Sequence, residues 1–159
     1  MKVYTKTEIE QVLDIPYLMA EIEKGLISDS DKRVLHAPLS LMHFENPKGD
    51  VHIKSGAILG DSLYVVKVAS SFYENPKLGL SSSNGVMLLF AQKTGELKAI
   101  LLDEGCLTDL RTGLSGAIAA KYLAPHSVTK IGIIGTGTQA REQLFHLSIR
   151  YSHHCCRCR

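Results

Sequence analysis

The stretch from Ile131 to Ala140 constrains the fold of this chain more than any other part of its sequence. It starts with a short apolar run, Ile131 to Ile134, which predicts a buried parallel strand. The six residues from Gly135 to Ala140 then fit the pattern G-x-G-x-x-A, and residues 139–149 predict a helix. Strand, glycine turn and helix in this order are typical of a dinucleotide-binding site.

Each small residue of this turn has its own task in such a site. Gly135 permits the tight turn, Gly137 lets the backbone approach a pyrophosphate, and Ala140 lets helix and strand pack closely. The start of the helix adds free N–H groups and the positive end of the helix dipole, both of which attract phosphate. The sequence therefore predicts a pyrophosphate site at this turn.

The dinucleotide motif is not completed within the 159 residues of the chain. A full motif needs an acidic residue for the ribose about 20 residues after the glycines, and no Asp or Glu follows Glu142. We therefore interpret residues 108–151 as a connecting helix and the first strand–helix unit of an incomplete Rossmann domain. We expect weak or absent binding of NAD or NADP by this chain.

Composition excludes several kinds of partner. With 45% hydrophobic and 21% charged residues, the chain has the make-up of a soluble globular protein. Its net charge of +2 is too small to indicate nucleic acid or a membrane surface as a partner. No apolar run approaches the roughly 18 residues of a membrane span, and the first residues lack the apolar core of a signal peptide. We therefore expect a cytoplasmic protein.

The end of the chain differs from the rest. Histidines and cysteines crowd it: His153, His154, Cys155, Cys156 and Cys158. One interpretation is a metal site, but closed zinc sites usually combine two separated ligand pairs, and no second cluster is near this one. The other is a break in composition from Ser152 onward, of the kind that a sequence read out of frame or through an unspliced segment would show. We predict no metal site and a tail, residues 152–159, that does not pack.

Residues 1–107 predict an α+β unit dominated by antiparallel strands. Thr7 and Glu10 predict a capping box for a short helix, and Asp14 with Pro16 predicts the start of a second one. The predicted strands cover 34–44, 51–59, 62–70, 86–91 and 97–102, and the last four form two hairpins. A helix over residues 108–124 follows, and its small residues permit close packing.

Two cations stand in apolar surroundings. Lys67 is flanked by Val66 and Val68, so it points either to a solvated strand face or into a site that needs a cation. Arg111 is predicted on the first turn of an otherwise uncharged helix, where the helix dipole disfavours a cation. Such a position indicates an anionic partner, for which Asp109 is the simplest candidate.

Three further polar residues are candidates for a binding site. His52 and Lys54 alternate with aliphatic residues, so they share one face of their strand. Ser82 lies in a serine run within a glycine-flanked loop, which either donates hydroxyls to a phosphate or nicotinamide or is merely a flexible loop. No Cys/His or Ser/His arrangement indicates nucleophilic catalysis.

These features occur in an order that resembles a known family. The segments that carry the resemblance are Val65-Val66-Lys67-Val68, Asn75-Pro76, Gly79-Leu80, Lys93-Thr94-Gly95-Glu96, Leu107-Thr108-Asp109-Leu110-Arg111-Thr112 and Gly135-Thr136-Gly137-Thr138-Gln139-Ala140. Over roughly residues 1–150 the chain resembles the ornithine cyclodeaminase/mu-crystallin family. Its Val51-His52-Ile53-Lys54 and Leu107-Thr108-Asp109 are most similar to the ectoine-utilisation-type cyclodeaminase branch.

The resemblance implies both a fold and an activity. An α+β substrate and dimerisation domain, residues 1–107, would precede the Rossmann domain, giving an α/β protein. Family members bind NAD(H) or NADP(H) and are typically dimers. They interconvert amino acids with cyclic or open imines, by cyclodeamination of ornithine, reduction of ketimines or dehydrogenation of alanine.

The resemblance also assigns roles by position. It implies that Lys67 holds the substrate carboxylate and serves catalysis, and that Arg111 lies between substrate and cofactor. Ser82 falls near a hydroxyl residue that touches the cofactor. Thr138 and Gln139 match the pair whose backbone meets the pyrophosphate.

Two departures from the family pattern bear on the substrate. A carboxylate-binding arginine is expected where this chain has Leu39-Ser40-Leu41, and a diamine-binding member is expected to have an acidic residue where this chain has His52 and Lys54. If His52 and Lys54 converge with Lys67 and Arg111, the four residues make an electropositive pocket. Such a pocket favours a substrate with a second carboxylate over ornithine.

Two functions from different classes follow as hypotheses. The first is an NAD(P)-dependent enzyme acting on amino or imino acids, inactive in a form that lacks most of the cofactor domain. The second is a non-catalytic small-molecule-binding or oligomerisation protein of the mu-crystallin type, which needs only the N-terminal domain. Turnover distinguishes the two.

Overall fold

A computed structural model describes residues 1–150, and the predicted tail with its candidate metal ligands lies outside them. The elements in chain order are β1 Lys2–Thr5, α1 Lys6–Glu10, α2 Ile15–Ser30, β2 Val34–His36, β3 Ser40–Glu45, β4 Lys48–Ile58, β5 Leu63–Phe72, a 3₁₀ turn Asn75–Leu78, β6 Ser83–Ala91, β7 Leu97–Leu102, α3 Cys106–Leu123 and α4 Thr138–Arg150. None of the helices in this described part is long and apolar enough to cross a membrane.

The chain divides into two compact units. The first comprises Met1–Asp14 and Lys24–Leu107, and it contains the sheet. The second comprises Ile15–Glu23 and the chain from Thr108 onward, and it contains α4 and most of α3. Each unit has its own packing.

Seven strands of the first unit form one mixed sheet. The strand order is β1-β7-β6-β5-β4-β2, and β3 also pairs with β4. The pairing of β1 with β7 is parallel, and the other pairings are antiparallel. The two predicted hairpins, β4–β5 and β6–β7, are confirmed, because alternating aliphatic residues and glycine turns specify them locally.

Three local features differ from the sequence predictions. The strand predicted over 34–44 is split into β2 and β3 around Pro38, since proline has no N–H for a sheet ladder. The capping box of α1 is formed by Thr5 and Glu8, not by Thr7 and Glu10: Glu8 accepts a hydrogen bond from the Thr5 N–H at 2.8 Å. The strand β1, four residues long, was not predicted from its sequence.

Asp103 explains why α3 begins at Cys106, two residues before the predicted start. The Asp103 side chain is buried, and its Oδ2 accepts a hydrogen bond from the Leu107 N–H at 3.1 Å. Burial, together with the charges of Asp103 and Glu10, raises the pKa of the Cys106 thiol. The thiol is therefore protonated at neutral pH.

The second unit is held together by close packing of α3 and α4. Leu114, Ala117 and Ile118 of α3 are buried. A Cβ added at Gly113 would lie 2.8 Å from Cδ2 of the buried His146 on α4. The close packing that the small residues of this helix predict is therefore present.

The predicted parallel strand, Ile131 to Ile134, is not formed. The segment between α3 and α4 has no regular secondary structure, and Ile134 within it is fully exposed. A parallel strand exists only when a neighbouring strand supplies its hydrogen bonds. Among the described residues, the second unit contains no strand that could do so.

Candidate active site

One face of the sheet brings together three of the predicted substrate-binding residues. In the register of β4 and β5, Lys54 lies directly opposite Lys67, and His52 lies opposite Ala69. Directly opposed residues point to the same face, so His52, Lys54 and Lys67 share it, with His52 diagonal to Lys67. Such diagonal neighbours are about 7–8 Å apart. The two strands therefore present three cationic or protonatable groups within the span of one small molecule.

The three residues differ in exposure. Lys67 is half-buried between its aliphatic neighbours, whereas Lys54 is exposed. The His52 side chain is 36% exposed. A half-buried ammonium gains more from an anionic ligand than an exposed one, because water screens it less. Of the three, Lys67 is thus the best placed to hold a carboxylate.

Asp50 lies on the same sheet face as His52, Lys54 and Lys67, which is called the cationic face below. It was not among the residues predicted from the sequence. It lies two residues before His52 on β4, and its Oδ1 is 3.1 Å from Nε2 of His52. Its Oδ2 accepts a hydrogen bond of 2.6 Å from the hydroxyl of Tyr73. The spacing Asp-x-His in a strand could have indicated from the sequence that Asp50 and His52 share one face. No local signal connects Tyr73, 23 residues further along the chain.

Ser82 lies immediately before β6. Its carbonyl accepts a hydrogen bond from the Phe72 N–H at 2.8 Å, which ties the serine run to the end of β5. Ser81 accepts from the side chain of Asn75 through its carbonyl at 3.0 Å. The loop is therefore anchored by several hydrogen bonds and is not a free linker.

The glycine turn lies in the second unit, ahead of α4. Gly135 has φ of +107°, a conformation that favours glycine, as its predicted role in the tight turn requires. A Cβ added at Gly137 would meet no atom within 4 Å, so the backbone there is open to an approaching group. Thr138 is the first residue of α4, and the first N–H groups of a helix have no intrahelical partner. Open backbone and free donors fit a pyrophosphate.

The side chain of Gln139 fixes the start of α4 against α3. Its Nε2 donates to Oδ1 of Asp109 at 3.0 Å. Asp109 was the simplest candidate partner for Arg111, but its carboxylate holds Gln139 instead. Arg111 is exposed and lies in the second turn of α3, not the first, because the helix begins at Cys106.

The comparison with protein families decides the affiliation. The sequence model of the ornithine cyclodeaminase/mu-crystallin family matches residues 1–153. The chain belongs to this family. The resemblance inferred from the ordered motifs is thereby confirmed.

The ornithine cyclodeaminase/mu-crystallin relatives include a protein similar in sequence and two similar in structure. The chain is 35% identical over 151 residues to an uncharacterized cyclodeaminase of Sinorhizobium fredii, covering 94% of this chain and 46% of that protein. Its fold matches the Δ1-pyrroline-2-carboxylate reductase of Thermococcus litoralis in complex with NADH and L-proline, with a TM-score of 0.86 and 28% identity, covering 94% of this chain and 46% of that one. It also matches an archaeal alanine dehydrogenase dimer with bound NAD, with a TM-score of 0.82 and 30% identity, covering 92% and 44%. The chain spans about half the length of these relatives.

The sheet face opposite Lys54 and Lys67 carries an open groove of about 440 Å³. Ser55, Tyr64 and Val66 line it together with Gln92. Because Ser55 and Val66 are register partners one position away from Lys54 and Lys67, the groove lies on the other face of the sheet. It is therefore separate from the cationic face.

No group of three potential metal ligands occurs among residues 1–150. The sheet face of the first unit offers amine, imidazole and carboxylate groups, and the glycine turn of the second unit offers backbone groups. These groups can bind carboxylates and phosphates and can exchange protons.

Proposed function

We propose that the protein to which this chain belongs carries out NAD(P)-linked chemistry on amino or imino acids, with the substrate carboxylate held by Lys67. The observation that supports this most is the half-buried Lys67 placed opposite Lys54 on one sheet face. An ammonium group has three donors and pairs with carboxylate through charge-assisted hydrogen bonds. The relatives named for pyrroline-carboxylate reduction and alanine dehydrogenation act on carboxylate-bearing molecules of this kind.

The cofactor part of the proposal concerns the glycine turn. NAD(P)(H), when bound, would exchange a hydride with the carbon that bears the amino or imino group. Gly135, Gly137 and the first N–H groups of α4, at Thr138 and Gln139, would hold its pyrophosphate. The side chain of Gln139 is occupied by Asp109 and fixes the helix start, so only its backbone is proposed to face phosphate.

Arg111 and Ser82 are proposed as secondary anion-binding groups. The exposed guanidinium of Arg111 has the planar donor set that suits carboxylate and phosphate. Ser82, in its anchored loop, has one hydroxyl to donate to the cofactor. Both roles rest on the family pattern.

We also propose that the protein forms a homodimer through the sheet face opposite Lys67. Large apolar side chains on that face are partly exposed, including Val3 at 48% and Met42 at 46%. Apolar surface of this kind favours association with a second copy. The dimeric archaeal alanine dehydrogenase supports the proposal. Sedimentation analysis would give a dimer, shifted toward monomer by Met42→Lys.

A second candidate function is binding without turnover. It is favoured by one observation: His52, Lys54 and Lys67 all lie in the first unit, which has a complete sheet of its own. A small carboxylate could bind there without any cofactor. The experiment below separates the two functions.

The experiment joins residues 1–150 to the C-terminal half of the Thermococcus litoralis reductase and follows NADH oxidation with cyclic and open imines. We expect turnover, abolished by Lys67→Ala and retained by Lys98→Ala, which removes a strand lysine paired with Glu96. A folded fusion that binds the imine but never oxidises NADH would support the binding function instead. Equal turnover of the wild-type fusion and its Lys67→Ala variant would refute the role of Lys67.

A further inference from the structure

Asp50 lies within ion-pair distance of the imidazole of His52. The carboxylate oxygen Oδ1 lies 3.1 Å from Nε2 of the ring, and the Asp50 side chain is 15% exposed. A histidine nitrogen engaged by a carboxylate is fixed in position, so the ring cannot turn freely. The other nitrogen, Nδ1, is the one that Asp50 does not contact.

Asp50 is itself held from the other side by Tyr73. The Tyr73 hydroxyl donates to Oδ2 at 2.6 Å, and the hydrogen bond and the negative charge of Asp50 raise the pKa of the phenol. The Tyr73 N–H donates to the carbonyl of Lys48 at 3.2 Å, which secures the tyrosine beside β4. Both carboxylate oxygens of Asp50 are therefore engaged. The carboxylate is a poor partner for a ligand and a good positioning group for His52.

We propose that His52, positioned by Asp50 and Tyr73, binds a second carboxylate on the substrate, so that the substrate class is a dicarboxylic amino or imino acid. This inference rests on the proposed function, in which Lys67 holds the first carboxylate. His52 and Lys67 are diagonal neighbours on the same face, about 7–8 Å apart at the backbone. A four- or five-carbon diacid would be long enough for one of its carboxylates to reach Lys67 and the other to reach His52.

The same face disfavours a diamine such as ornithine. Its distal ammonium would meet Lys54, on the same strand and face as His52. The carboxylate of Asp50, on the same strand and face, already contacts both His52 and Tyr73. The positive charge of Lys54 weakens the binding of a distal ammonium. A distal carboxylate would instead be attracted to both His52 and Lys54.

The binding of a distal carboxylate through Nδ1 requires the charged ring. In the imidazolium both nitrogens donate, one to Asp50 and the other to the ligand. The titratable groups around His52 are Asp50 on its own strand, Lys54 and Lys67 on the shared face, Tyr73 beyond β5, and His43, the register partner of Asp50 on β3.

The test uses the intact chain and two amino acids, L-aspartate and L-alanine, titrated while the backbone amide and imidazole resonances are recorded by NMR. We expect L-aspartate to bind about ten-fold more tightly than L-alanine, since one charge-assisted hydrogen bond has about that effect. His52→Ala should reduce aspartate affinity to that of alanine and leave alanine affinity unchanged.

Asp50→Asn tests positioning separately from folding. We expect it, and to a smaller extent Tyr73→Phe, to lower aspartate affinity while alanine affinity stays constant. A merely structural role would change both. His43→Ala is the matched control, because it removes an exposed histidine from the same face, and it should leave the preference intact.

The outcomes distinguish this inference from the proposed function. Equal binding of the two amino acids by the wild-type chain, or a preference that survives His52→Ala, overturns the role of His52 and leaves the role of Lys67 standing. If neither amino acid binds, the proposed role of the sheet face fails and the inference fails with it.

Discussion

Lys54 and Lys67 are register partners on β4 and β5, so two ammonium groups leave the sheet side by side on the same face. Like charges directly opposite each other oppose strand pairing. A bound carboxylate would reduce the repulsion between the two ammonium groups. Under the proposed function, the pair links the architecture of the hairpin to the choice of an anionic substrate.

The first prediction concerns substrate charge. In the fusion enzyme, Lys54→Glu should shift the ratio of kcat/KM toward ornithine-like diamines, because it places a carboxylate where the distal ammonium would lie. Loss of a desolvated charge partner costs on the order of 2–5 kcal/mol, but Lys54 is exposed, so we expect a change of about ten-fold at most. Lys54→Gln, which removes the charge without reversing it, is the control. An unchanged ratio in Lys54→Glu would remove the charge argument.

The second prediction compares two glycines of α3. A Cβ at Gly113 would crowd the buried His146 ring and the Glu142 backbone, the latter at 3.2 Å, whereas a Cβ at Gly116 meets the movable end of the Gln143 side chain. Gly→Ala also favours a helix by about 1 kcal/mol. We expect Gly113→Ala to destabilise the protein by about 1–3 kcal/mol, and Gly116→Ala to be close to neutral. Urea unfolding of both variants measures the difference, and the reverse order of stability would contradict the packing described for α3 and α4.

The third prediction concerns the pH dependence of stability. The hydrogen bond from the Thr5 N–H lowers the pKa of Glu8. A carboxyl group whose pKa is lowered by folding stabilises the protein above its unfolded pKa, and this contribution is lost as the pH falls through the folded pKa. Glu8→Ala should therefore lower the Tm at neutral pH, and the difference should vanish well below about pH 4.

The control for Glu8 is Glu10→Ala, which lies on the same helix outside the capping box. Thermal unfolding at neutral and acidic pH provides the measurement. A Tm difference between wild type and Glu8→Ala that persisted at acidic pH would show that the capping box does not act through the charged carboxylate.

The fourth prediction concerns the cofactor. We expect this 159-residue chain to bind NADH only weakly. The turn at Gly135 and Gly137 has an open backbone, but the described residues form no strand at Ile131 to Ile134 to support it. Calorimetry provides the measurement, and a micromolar Kd would contradict the prediction.

Local signals were sufficient to predict much of the fold. The hairpins β4–β5 and β6–β7 follow from alternating residues and from turns at Gly60 and Gly95, both with positive φ. The helix α4 follows from the sequence after the glycine turn. These elements depend on contacts between residues close in the chain, for which sequence patterns are informative.

The features that were not predicted depend on distant partners. The strand β1 is stabilised by β7, with Lys2 opposite Ala99, and four residues carry no pattern of their own. The run Ile131 to Ile134 has the composition of a strand but no neighbour that would pair with it. Composition indicates what a segment can form, and pairing decides whether it does.

The candidate site shows the same difference between features set by nearby residues and features set by distant ones. The alternation of His52 with Lys54 was sufficient to place both on one face, and the register adds Lys67. The contact between Asp50 and Tyr73 joins β4 to the residue that follows β5, and it could not be found from the sequence alone. The sequence therefore identified the cations, and the structure identified the groups, Asp50 and Tyr73, that lie beside one of them.

The central claim is that Lys67 holds the carboxylate of an amino or imino acid. The most direct measurement is the titration of the intact chain with L-proline, followed by NMR, in the wild type and in Lys67→Ala and Lys98→Ala variants. The account predicts saturable shifts at β4 and β5 in the wild type and in Lys98→Ala, and their loss in a folded Lys67→Ala variant. Absence of saturable binding in the wild type, or equal affinity in Lys67→Ala, would contradict it.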